Sequence, residues 1–146
     1  MPILAVAVLV FPAASAARMT RSEFALLRQI NDVRTANGLA PLRPDERLER
    51  VARAHTRHML DANAFEHSRA IAALVSPPAP WHHVGENLAW ASGDETAGAI
   101  VDAWLASPGH RANLLASAYT RVGIGALEGP FRGADDALVV TADFAG

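Results

Sequence analysis

Apolar residues recur at helical spacing from Phe24 through Leu27, Ile30 and Val33, with Leu26 beside them. Thr20-Arg21-Ser22-Glu23 in front of this stripe reads as a capping box, and Gly38 supplies a stop. Asn37-Gly38 and Pro41 mark the turn that follows. A second helix is expected to start near Asp45, to carry Leu48, Val51, Ala52, His55 and Met59 on one face, and to end around Ala62-Asn63. Residues 68 to 82 contain Ser76-Pro77-Pro78-Ala79-Pro80, which predicts a loop. Val84 to Ala91 reads as a strand. Asp94 can cap a third helix with the stripe Ala97, Ile100, Val101, Trp104 and Leu105. Ser107-Pro108 fits an N-cap followed by proline at the first helical position, opening a short helix through Leu115. Arg121 to Leu127 and Leu138 to Phe144 are β-like runs, and Gly129 to Asp136 reads as their hairpin connection. Partial segregation of strands from helices predicts an α+β fold, an antiparallel sheet covered by helices.

Composition narrows the chemistry. The chain has 146 residues, the size of one domain, and a formal net charge of −2. All 13 cations are arginine, and no basic face of nucleic-acid size is implied. Cysteine is absent, which excludes disulfides, thiolate metal sites and cysteine nucleophiles. Pro2 to Pro12 is almost purely apolar, and Ala14-Ser15-Ala16 follows as a small-x-small cleavage site. An apolar stretch of about ten residues has signal-peptide length and is too short to span a bilayer. Residues 1–16 are therefore expected to be a signal peptide, although no Lys or Arg precedes the apolar run. A buried N-terminal strand is the competing reading. Residues 17–146 are expected to form a single exported domain, secreted or periplasmic.

Six histidines make the search for a site short. The informative segments are Phe65-Glu66-His67, Gly85-Glu86-Asn87-Leu88-Ala89 and Ser107-Pro108-Gly109-His110-Arg111-Ala112-Asn113-Leu114-Leu115. A His at the third position of a helix sits where the dipole disfavours imidazolium, so His110 is expected to stay neutral. Glu86 on a strand could orient an imidazole or act as a general base. His55 and His58 are expected to pack on the helix and face solvent respectively. His82 and His83 stand before the strand and could fringe a groove. Trp81, Trp90 and Trp104 are expected in the core, and Arg111 and Asn113 in structural roles. No serine-nucleophile motif, phosphate loop or aromatic–basic interleaving is present.

Together with Val122-Gly123-Ile124-Gly125 and the closing Val140-Thr141-Ala142-Asp143-Phe144, these segments resemble the CAP superfamily, also called the SCP or cysteine-rich secretory protein, antigen 5 and pathogenesis-related family. The resemblance is to its compact bacterial branch and runs from about Phe24 to Phe144. It implies a three-layer α–β–α sandwich with a central antiparallel sheet and a groove lined by two His and one or two Glu. Residue by residue, His67 and His110 match the family's His pair, which can hold a divalent, zinc-like metal weakly, and Glu86 matches the groove Glu. His83 and Ser107 are further groove candidates. Where many members carry a second Glu, this chain has Ala106 and Ser107, so the full tetrad is not complete. The expected function is an exported binding or effector module for a small apolar ligand, a cell-envelope component or a protein partner, with no nucleic acid and no stable membrane span. The alternative is a metal-dependent, peptidase-like hydrolase with Glu86 as base. A mainly structural extracellular domain is the third reading.

Overall fold

The structure, a computed structural model, describes residues 18–75, 80–92 and 94–146; the expected signal peptide lies outside the described residues. Helix α1 (Arg21–Ala36) opens on the expected capping box. The Thr20 hydroxyl accepts from the Glu23 amide at 3.2 Å, and the Glu23 carboxylate accepts from the Thr20 amide at 2.8 Å. Gly38 follows the helix at φ +73°, a left-handed conformation that costs glycine little. Helix α2 (Glu46–Ala62) is capped by Asp45, whose carboxylate accepts from the Arg47 and Leu48 amides. A 3-10 turn (Ala70–Val75) occupies part of the expected loop, while residues 76–79 lie outside the described residues. Strand β2 spans Val84–Ser92, helix α3 Ala97–Ala106 and helix α4 Pro108–Leu114. Thr96, not Asp94, caps α3, because its hydroxyl meets the Ala99 amide at 3.1 Å. Ser107 is the N-cap of α4 by position, but its side chain makes no capping bond.

Strands β3 (Arg121–Phe131) and β4 (Ala134–Ala145) run longer than the apolar pattern predicts. They meet in a two-residue turn, Arg132-Gly133, with φ of 51° and 90°. Two successive positive φ angles match the twist of a tight hairpin, so the expected Gly129–Asp136 connection is mostly strand. A register irregularity between Gly129 and Phe131 accommodates Pro130, which has no N–H to give to the ladder. With the short strand Arg43–Pro44 as β1, the sheet order is β1-β3-β4-β2, antiparallel across its three long strands. The two-residue strand β1 (Arg43–Pro44) adds a parallel edge to the start of β3.

Helices α1, α3 and α4 cover one face of this sheet. Leu26, Ile30, Val101 and Trp104 pack there against Ile124, Val140 and Phe144. Helix α2 covers the other face, packed on β3 and β4. The result is the α–β–α sandwich. Alternate residues of the strands point to opposite layers. Gly123 and Gly125 point to the α2 side, where the helix backbone comes close. A Cβ at Gly123 would lie 2.1 Å from the Leu48 carbonyl carbon, and one at Gly125 2.6 Å from Ala52 O. The Thr56 hydroxyl seals this contact, donating to Ala52 O and lying 2.8 Å from Thr141 Oγ1.

Two expectations about the core fail. Phe24 is exposed, and the polar Glu23 and Arg34 are buried on that helix instead. Glu23 takes a two-pronged bond from Arg53, at 2.8 and 2.7 Å. Burial works against the Glu23 charge, but Arg53 and the Thr20 amide hold its pKa below the usual value. Arg34 donates to four backbone carbonyls, those of Ala40, Leu114, Ala116 and Tyr119, and so ties the end of α1 to the α4–β3 connection. Trp90 is also exposed, with its ring edge against Phe131, whereas Trp81 and Trp104 are buried as expected.

Candidate functional site

Strand β2 brings Glu86 to the α2 side of the sheet, opposite Asp143 of β4. The Glu86 side chain is only 4% exposed. Its Oε1 accepts from the Ser68 amide at 2.9 Å and stands 2.7 Å from His67 Nδ1. An ionised carboxylate can only accept, so Nδ1 carries the proton and Nε2 of a neutral His67 ring is left with a free lone pair. The His67 side chain is 70% exposed, so the ring is fixed at its inner nitrogen and open at its outer one. This is the geometry of a carboxylate-oriented imidazole.

His67 lines a groove of about 630 Å³ beneath α2, together with Val51, Ala54, Ser68 and Ala70. Arg47, Arg50 and Arg69 also line it, with His55 and His58, against the single carboxylate of Glu66. His55 is buried as expected, and its Nε2–H donates to Glu66 O at 2.7 Å; His58 is exposed. Arg47 lies over the Trp81 ring, 5.8 Å from its centre.

The other sequence candidates lie elsewhere. His110 stands in the first turn of α4 and is not among the residues lining this groove. Its backbone carbonyl accepts from Asn87 Nδ2 at 3.0 Å. Burial first, and then the His67 charge, hold His110 below the usual histidine pKa, the direction expected for a ring at a helix start. The two imidazoles are thus near enough for the charge of one to act on the other. His83 is exposed, with its backbone paired to Gly146, and neither it nor Ser107 lines the groove. Asn113 has the structural role expected, donating to Glu86 O and Asn87 Oδ1. Among the described residues no group of three or more His, Cys, Asp or Glu side chains is placed to hold a metal ion. Glu86 Oε1 is already committed, and two imidazoles are one ligand short of a usual catalytic zinc set. The donors present do not fit a resident catalytic metal.

The sequence reading missed Asp143 and the arginine rim. Asp143 is fully buried, and among the described residues neither of its carboxylate oxygens has a hydrogen-bond donor, nor does Glu86 Oε2. Burial, followed by the charge and hydrogen bonding of Glu86, pushes its pKa up to about 8. A charged residue inside the apolar run Leu138–Phe144 was the available signal.

The family described as the cysteine-rich secretory protein family, CAP, matches residues 27–144. An uncharacterized protein of Bacillus subtilis, YkwD, is 36% identical over 103 residues, which is 67% of this chain and 39% of that protein. The chain thus spans about two-fifths of that relative's length. An outer surface protein of Borrelia burgdorferi has a similar structure, with a TM-score of 0.66 and 22% identity over 82% of this chain and 88% of that one. An extracellular SCP-domain protein of Bacillus anthracis aligns at TM-score 0.61 and 26% identity, over 88% of this chain and 44% of that one.

Proposed function

Because the chain belongs to the cysteine-rich secretory protein (CAP) family, we propose that it is an exported binding module whose groove beneath α2 receives a small apolar or cell-envelope ligand bearing an acidic group. One observation carries this reading. The groove's apolar wall residues, Val51, Ala54 and Ala70, stand beside three arginines and one carboxylate, in a chain whose formal net charge is −2. Its volume of about 630 Å³ is within the range that encloses small ligands. Apolar walls supply burial, while the guanidinium groups select an anion and fix its orientation. His67 Nε2 adds a single acceptor at the rim. Export is in keeping with an outer surface protein and an extracellular protein among the structural neighbours, and no helix among the described residues is long and apolar enough to cross a membrane.

The probe is 8-anilinonaphthalene-1-sulfonate, an apolar anion, titrated by fluorescence into the folded protein. Saturable binding that weakens about tenfold or more in a doubly charge-reversed variant, Arg50→Glu with Arg69→Glu, is expected. Binding that is absent, or indifferent to that variant, overturns the proposal.

Hydrolysis with Glu86 as general base has less support. That carboxylate is buried behind His67 and already accepts two hydrogen bonds through Oε1. A general base needs direct reach to the proton it removes. The geometry instead favours the orienting role for Glu86.

A further inference from the structure

The facing carboxyl groups of Glu86 and Asp143 pose a problem that the groove chemistry leaves open. They are cross-strand partners, one side chain 4% exposed and the other residue fully buried. Three of their four oxygens have no donor. Two buried like charges side by side are strongly disfavoured, and such pairs retain a proton between them. The surroundings decide where that proton sits. Glu86 Oε1 receives the Ser68 N–H and the His67 Nδ1–H, both of which stabilise its negative charge. Asp143 receives none. Its partner across β3 is Gly123, which has no side chain. The covering stretch of α2 at Gly123 is Leu48-Glu49, and the Glu49 carboxylate is 3.9 Å from Arg53. Beyond burial, the influences on Asp143 both come from Glu86.

We propose that Asp143 is held as a neutral carboxylic acid whose O–H donates to Glu86 Oε2, and that it acts as a positioning residue for His67. The proton supplies the donor that Glu86 Oε2 lacks and removes one of the two charges. The carboxylate of Glu86 is then gripped at both oxygens, and its plane and charge are fixed. That in turn holds the Nδ1–H tautomer of His67 and keeps Nε2 open toward the groove. The chain of groups runs acid, carboxylate, imidazole, groove. The inference rests on the reading of His67 as a groove residue, but the order of protons within the chain can be measured without any ligand.

The test uses the intact protein with ¹³C-labelled Asp carboxyls and ¹⁵N-labelled imidazoles. One Asp carboxyl signal is expected to remain in the protonated range at pH 6, to ionise near pH 8, and to vanish in Asp143→Asn. His67 is expected to be the Nδ1–H tautomer when neutral. Asp143→Asn keeps a donor, because the amide N–H₂ replaces the O–H, and should retain that tautomer. Asp143→Val removes the donor, and the share of Nε2–H tautomer should rise severalfold. Ionisation of every Asp carboxyl by pH 6 would overturn the proposal, and so would an unchanged His67 tautomer in Asp143→Val. The wild-type carboxyl signal decides the question even where the valine variant does not fold. Failure of the naphthalene sulfonate to bind while these signals behave as expected would sink the ligand proposal alone.

Discussion

Asp143 is the residue whose ionisation most directly links the site to stability. Its pKa is raised in the folded state, to about 8 against an ordinary 3.8, with burial as the first cause and Glu86 as the second. The folded chain therefore binds more protons than the unfolded chain between those values. Stability from this group is fully present below about pH 4 and is lost as pH rises toward 8. Glu23 works in the opposite sense, because its lowered pKa adds stability above the ordinary value of 4.5 that is lost on acidification. Comparison with Asp143→Asn isolates the first effect. The urea midpoint of the wild type should fall between pH 5 and pH 8 relative to that of the variant. A constant difference across the range would mean that Asp143 does not titrate there. At this scale His67 and Glu86 were legible as a pair of interest from their motifs. Asp143 was not, since only the β2–β4 register puts it beside Glu86, and register is fixed by the whole sheet rather than by any local signal.

Elements were more legible than their ends. The capping box of α1, the Asp45 cap of α2 and the proline that opens α4 are local devices, so the chain states them outright. The hairpin was misplaced because Gly129 and Pro130 look like a turn, whereas the turn itself uses Arg132, a residue that seldom takes positive φ. Phe24 was misassigned because periodicity alone does not show that Glu23 and Arg34 have partners waiting inside. The Gly-Ile-Gly motif was read as a family mark. Its physical reason is the approach of α2, which leaves no room for a Cβ at either glycine. Gly125→Ala should therefore cost about 1–3 kcal/mol, the range for overpacking, since the atoms it meets are helix backbone. A thermal or denaturant midpoint would register this, and an unchanged midpoint would show that α2 can lift away cheaply.

For the molecule as a whole, a sheet covered by helices was legible from the partial segregation of strands and helices, while the three-layer arrangement followed from the family resemblance. The groove was not recoverable, because its arginines come from α2 and from Arg69 in the segment after His67, and none belongs to a motif. One consequence is a prediction about metals. Among the described residues no group of three or more such ligands is placed to hold an ion, so dialysis against a chelator is expected to leave the melting temperature unchanged. A fall on chelation, reversed by zinc and absent in His67→Ala, would show that the ring takes part in a real metal centre.

The hydrogen bonds at the two margins of the sheet bear on how the molecule meets copies of itself. On β2, Trp104 Nε1 and Asn113 Nδ2 occupy the outward carbonyls of Leu88 and Glu86. On β3, β1 pairs with the first residues. Main-chain groups that would otherwise template a further strand are thus spent on side chains along β2 and on β1 at the start of β3. Neighbouring copies find little ladder to extend along these stretches, which guards the molecule against fibril-like stacking even when it is crowded.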